Sequence, residues 1–239
     1  MADESGATTP TTPTTPTTPT TPTTPTTPTT PTTPTTPTTP TTPITPTTPI
    51  TTHWTRALAR RWPTALALVL TGGMLLADAA ADGSDDAVTG YAQALPLLPL
   101  LYVVINQAGS PRVTWPVLGA GVAVMVAVQT QDAVSPGGVL IAVALGVLLW
   151  GMVRGAPHGR TVLGIQAAGA IVFGALAVTG LVVDPDIGRY AVAAGWFFHG
   201  VWDFAHLRLQ RLKGVVAPSF AEWCAVVDVV VGLELLFLR

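Results

Sequence analysis

From residue 63 onward the chain is a succession of seven apolar runs, each roughly as long as a bilayer is thick. They cover 63–81, 88–107, 113–131, 137–153, 162–182, 187–207 and 219–238. About 20 apolar residues are what a helix needs to cross the hydrocarbon core. Turn chemistry separates the runs: Asp82-Gly83-Ser84, Gly109-Ser110-Pro111, Ser135-Pro136-Gly137, Gly155-Ala156-Pro157, Asp184-Pro185-Asp186 and Ala217-Pro218. Backbone polar groups in lipid must pair within the segment, so each run is expected as a helix. A β-barrel would alternate polar and apolar residues, and these runs are continuously apolar. The expected fold class is an all-α, polytopic transmembrane helical bundle of about seven spans.

Composition agrees. Only 10% of the 239 residues are charged and 49% are apolar, against about 25% charged in ordinary soluble domains. The apolar residues are unevenly spread. Residues 1–53 hold only Met1, Ala2, Ala7, Ile44 and Ile50, which leaves residues 54–239 about 60% apolar. Two regions follow: a tail, 1–53, and a transmembrane helical domain, 54–239. A net charge of −2 without a basic patch excludes a nucleic-acid partner, and the single cysteine, Cys224, excludes a disulfide scaffold. Membrane lipid is the one partner that composition implies.

In the tail, Thr-Thr-Pro repeats run from Thr8 to Pro49 with a proline at every third position from Pro10. Proline fixes φ and removes a backbone donor, so neither helix nor sheet is expected. The period of three is that of polyproline II. A disordered or extended tail follows, reaching roughly 130 Å if fully stretched.

The basic residues are sorted by side. Arg56, Arg60, Arg61, Arg112, Arg154, Arg160, Arg208, Arg211 and Lys213 fall on one side of the seven runs, and Arg189 and Arg239 on the other. By the positive-inside rule the N-terminus is cytoplasmic and the C-terminus extracytoplasmic in a multi-pass protein of the cell membrane. Arg60-Arg61 followed by a short apolar stretch and Ala79-Ala80-Ala81 also imitates a cleavable signal peptide. The long tail in front of it favours a retained span.

Within the bundle, Pro96 and Pro99 are expected to kink the second span. Small residues four apart, at Gly119/Ala123/Ala127, Ala142/Gly146 and Ala170/Gly174, are expected to allow close helix approach. Glu234 is expected to snorkel to the outer interface.

One stretch carries chemistry. In Gly195-Trp-Phe-Phe-His199-Gly-Val-Trp-Asp203-Phe-Ala-His206, three polar side chains fall at i, i+4 and i+7 on one helical face. Such residues are costly in hydrocarbon and usually face the bundle interior and pair there. The seventh span runs back antiparallel and carries Glu222 and Asp228. Counting depth at the helical rise sets Asp228 beside His199 and Glu222 beside His206. Asn106 and Gln107 lie at the same end of span 2.

Three uses fit this set. His199, Asp203 and His206 suit a divalent metal, zinc or iron, with Asp228 or Glu222 as a further ligand or catalytic general base. The same groups suit a proton relay in a small-solute transporter. They also suit a purely structural cluster that neutralises itself and holds spans 6 and 7 together.

Other cofactors are excluded by residue type. No span carries a lysine for a retinal Schiff base. Only span 6 carries histidines, which removes a haem held between two helices. There is no Walker-type or dinucleotide-binding loop, so no nucleotide is expected.

Gly-Trp-x-x-His-x-x-Trp-Asp-x-x-His (195–206), paired with Pro218-x-x-x-Glu222-Trp-Cys-x-x-x-Asp228, resembles a family of multi-pass integral membrane proteins of actinobacterial type. Ten arginines to one lysine fit that origin. The family pattern often has a second histidine after the position of His206, where this chain has Leu207. The resemblance implies a polytopic membrane fold and a shared motif, with no activity attached.

Overall fold

The computed structural model describes residues 55, 59–78, 84–131 and 133–237. The tail 1–53 and the alanines of the imitated cleavage site lie outside these residues. The described helices belong to one unit, Thr48–Arg239. Among the described residues there is no strand.

The helices are α1 (Trp62–Asp78), α2 (Ser84–Ala94), α3 (Leu97–Ala108), α4 (Thr114–Gln129), α5 (Pro136–Arg154), α6 (Arg160–Val182), α7 (Pro185–Arg208) and α8 (Pro218–Phe237), with a short 3₁₀ turn at Pro111–Val113. Helices α2 and α3 are two halves of one rod, so seven rods, the number expected, are present among the described residues. Four segments are long and apolar enough to cross a membrane: Ala87–Ala108, Pro111–Gln129, Pro136–Arg154 and Arg160–Val182. The chain is a helical membrane protein on that ground. Helix α1 is apolar but shorter, over Trp62–Met74. Helices α7 and α8 have the length, but α7 is less apolar and α8 carries three acidic residues, Glu222, Asp228 and Glu234.

Proline and capping residues explain the boundaries. The second rod breaks at Leu95-Pro96, as expected, because Pro96 and Pro99 have no N–H to donate into the ladder. The chain passes the break with a tighter bond, from Leu98 N–H to the Leu95 carbonyl at 3.2 Å. Helix α5 starts where Ser135 Oγ accepts from Gly138 N–H and Pro136 takes the first position. Helix α7 starts the same way, with Asp184 accepting from Asp186 N–H before Pro185.

The second rod is central and α4 peripheral. In an 18-residue apolar stretch of Ala87–Ala108, 72% of residues are buried, against 6% in the corresponding stretch of Pro111–Gln129. Tyr102, Val103 and Ile105 of α3 are fully buried. A threonine ties the rim of α4 to the start of the last helix: Thr114 Oγ1 accepts from Ala217 N–H at 3.0 Å.

The closest helix pair is α7 with α8, and glycines make it close. A Cβ on Gly200 would lie 3.1 Å from the Ala225 carbonyl oxygen, and one on Gly232 would lie 2.7 Å from Phe197 N. Neither glycine belongs to the small-residue stripes singled out from the sequence. Of those, Gly119, Ala123, Ala127, Ala142 and Gly146 are exposed on α4 and α5, and Gly119 and Gly146 have nothing within 4 Å of a built Cβ. Only Gly174 is buried. A spacing of four fixes a shared face and leaves open whether a helix stands against it. Glu234 also departs from expectation, being buried on α8 rather than turned out to the interface.

Candidate metal centre

His199 and Asp203 share one face of α7, one turn apart, and that face is pressed against α8 by the Gly200 contact. Asp228 meets them from α8. His199 Nδ1–H donates to Asp228 Oδ2 at 2.7 Å, and the same nitrogen lies 3.6 Å from Asp203 Oδ2. All three side chains are fully buried. One ligand atom from each residue lies within 4.8 Å of the others. The depth count that set Asp228 beside His199 is realised in the structure.

A third helix closes the group. Tyr102, fully buried on α3, donates its hydroxyl proton to Asp203 Oδ1 at 2.5 Å. Its ring packs 4.4 Å from the His206 ring and 5.7 Å from the His199 ring, centroid to centroid. Phe173 of α6 meets the His199 ring edge to face at 4.8 Å. Aromatic walls therefore surround the imidazole, and the carboxylates lie on its Nδ1 side. Sequence reasoning missed Tyr102. Its one available signal is depth: a tyrosine in the middle of an apolar run, away from the interface where tyrosines gather.

His206 shares the face of His199 and Asp203 and is nearly as buried, but it stands outside the metal-ligating group. Seven residues of helix separate it from His199 by roughly 10 Å. Its Nδ1–H donates to the Trp202 carbonyl at 3.0 Å, and Gln166 Nε2 of α6 donates to its Nε2 at 2.9 Å. Both ring nitrogens are thus engaged by protein groups. His206 also lines a cavity of about 170 Å³ at the α7–α8 connection, with Lys213 and Gly214.

Glu222 is not beside His206. Its Oε1 accepts from Thr64 Oγ1 at 2.6 Å and from Arg61 Nη1 at 3.1 Å, both from the start of the first span. Six residues of helix turn a side chain about 120°. With Asp228 facing α7, Glu222 is left to face α1. Asn106 is fully buried one turn beyond Tyr102, and its amide makes no hydrogen bond. Gln107 packs instead against Gly151 of α5.

The donor set is one imidazole and two carboxylates. Asp203 Oδ2, Asp228 Oδ1 and His199 Nε2 have no hydrogen-bond partner. Buried polar atoms are almost always paired, so the orphaned oxygens of Asp203 and Asp228 mark a place for a further positive group. The residues fit a divalent cation on that ground. Fold and site together define a helical membrane protein with an interior histidine–carboxylate centre. Comparison with protein-family models, with curated proteins and with solved structures gives no match.

Proposed function

We propose that this chain is an integral membrane protein that binds a divalent transition-metal ion, zinc or iron, through His199, Asp203 and Asp228. The observation that carries the reading is the convergence of two fully buried carboxylates on one imidazole, with a lone oxygen left on each. A dication held between two carboxylates enclosed in hydrocarbon would neutralise both. Imidazole and carboxylate donors suit zinc and ferrous iron. Such an ion supplies Lewis acidity where it is bound. Tyr102 would orient Asp203 beside it, and binding would release the Nδ1 proton that His199 shares with Asp228, freeing both atoms as ligands.

The test is metal content. Protein purified in detergent from cells grown with zinc and iron should carry about one ion per chain, as expected for a single closed ligand set. His199→Ala and Asp228→Asn should lose it. Wild-type protein without metal overturns the reading.

A second reading has its own observation. Tyr102 joins the His206 ring to the Asp203 carboxylate, so titratable groups run from the cavity at the α7–α8 connection to Asp228. That run suits proton exchange in a coupled transporter. Metal-free protein with a pH-driven flux in liposomes, abolished by Tyr102→Phe, supports it. Metal-free protein without flux, whose variants only melt lower, uses the cluster to hold α7 to α8.

The basic residues support a cytoplasmic N-terminus and an extracytoplasmic C-terminus in the cell membrane. That orientation puts His206 and the start of α8 in the inner half of the bilayer.

A further inference from the structure

His199, Asp203 and Asp228 are fully buried, so an ion bound there needs a way in. Two hollows against α5 and α6, of about 640 Å³ and 410 Å³, have no residue of the centre in their walls and none from its face of α7. The cavity of about 170 Å³ at the α7–α8 connection differs, because His206 is in its wall beside Lys213, Pro218 and Ala221. His206 and Asp203 are buried on one face of α7. Three residues of helix separate them, about 4.5 Å of rise. The cavity wall therefore lies within one turn of the centre.

The hydrogen bonds of His206 prepare it as a ligand. Its Nδ1–H donates to the Trp202 carbonyl at 3.0 Å, which keeps the proton on Nδ1 and the lone pair on Nε2. Ligating histidines commonly have their second nitrogen engaged in this way. The partner of Nε2 is a neutral amide, Gln166 Nε2 at 2.9 Å. Turning that amide over puts its oxygen beside the imidazole nitrogen, and both can then donate to a cation. Asn106 is fully buried one turn of α3 beyond Tyr102, toward the same end, and its amide makes no hydrogen bond. These donors are neutral, so they hold a dication weakly, and the carboxylates one turn deeper hold it more tightly. Tyr102 stands between the two levels, with its ring on His206 and its hydroxyl on Asp203 Oδ1, while Asp203 Oδ2 has no hydrogen-bond partner.

We propose that the cavity at the α7–α8 connection is the entrance to the metal centre, with His206 as the ligand that passes a divalent cation from the cavity to Asp203. The inference rests on the metal reading of His199, Asp203 and Asp228, and it gives a role to a buried histidine that the centre leaves out. A histidine that only ties α7 to α6 through Gln166 has no effect on how fast an ion arrives. Lys213 is exposed in the cavity wall, and no carboxylate pairs with it among the described residues, so its charge opposes an arriving cation.

The experiment mixes full-length protein in detergent, stripped of metal, with zinc ion and follows loading in time by competition with a fluorescent zinc chelator. Wild type should load about one ion per chain. His206→Leu should reach the same content about tenfold more slowly, as when one stabilised step of the passage is lost. Lys213→Gln should load about threefold faster at low ionic strength, and the gain should fade in salt. Arg112→Gln makes the same charge change at an exposed position outside the cavity wall and should match wild type. Lys213→Gln, also at an exposed position, keeps the test valid if His206→Leu alters folding. Full loading at the wild-type rate in Lys213→Gln, or in folded His206→Leu, overturns the entrance and leaves the centre standing. So does equal acceleration in Arg112→Gln. A lower final content in folded His206→Leu would make His206 a resident ligand, which also overturns the proposal. Wild type that takes up no zinc overturns the centre and the entrance with it.

Discussion

The hydroxyl of Tyr102 on α3 donates to Asp203 on α7 across 2.5 Å, with both side chains fully buried. Through that bond the central rod is coupled to the α7–α8 pair, because Asp203 and Asp228 flank the same nitrogen of His199. The polar centre therefore sits where three helices meet, rather than between two.

Tyr102→Phe keeps the ring and deletes the donor. The Asp203 carboxylate then loses its one short hydrogen bond in a site without water access. A hydrogen bond to a charged acceptor contributes about 1.5–3 kcal/mol. The variant should melt several degrees lower in detergent, with unchanged helicity by circular dichroism. An unaltered melting temperature would show that the bond adds nothing to stability.

His199→Ala and Glu222→Gln should behave differently. Removing His199 leaves two carboxylates facing each other in the interior, and breaking a buried charge group costs about 3–5 kcal/mol. Glu222 bonds an Arg61 side chain that is 74% exposed, and pairs of that kind contribute at most ~1 kcal/mol. Metal content and melting temperature should fall together in His199→Ala and hold near wild type in Glu222→Gln. Equal losses in the two variants would place Glu222 in the centre.

Gly232→Ala should destabilise and Gly119→Ala should not. The first puts a methyl against the Phe197 amide and the Ala193 carbonyl, at 2.7 and 2.9 Å, and forces α7 and α8 apart. Overpacking of this kind costs about 1–3 kcal/mol. The second adds a methyl on an exposed face of α4 with nothing nearby, within about 0.5 kcal/mol of neutral. Thermal denaturation of both in one detergent checks the contrast. A destabilised Gly119→Ala would reveal a contact on α4 that the single chain does not make.

Orientation has a direct reading. A periplasmic-type reporter fused after Arg239 should be active, and a cytoplasmic-type reporter at the same place inactive. The opposite result would reverse the bundle and put His206 and the α7–α8 connection on the outer side.

Much of the bundle is legible in the amino-acid order. Continuous apolar runs of bilayer length admit only helices, and Pro and Gly mark where they end. Each expected span has its helix, displaced by only a few residues at the ends, and the break at Pro96 lies where a missing donor puts it. The pairing of Asp228 with His199 is legible too, because a short connection makes spans 6 and 7 antiparallel neighbours and depth can then be counted.

What the sequence by itself determined is the kind of fold, the number of rods and the depth of each polar residue. Rise and period are local quantities, set by the backbone of one helix. Which faces meet is not local. Rotation of α8 turned Glu222 to Arg61 and Thr64 and away from His206. The close α7–α8 approach went to Gly200 and Gly232, while the small residues of α4 were left facing outward. The tertiary structure alone decided that Tyr102, an aromatic hidden in an apolar run, stands against Asp203. Contact across helices depends on the azimuth of each rod and on which neighbour it packs against, and apolar runs facing lipid and protein alike carry no record of either.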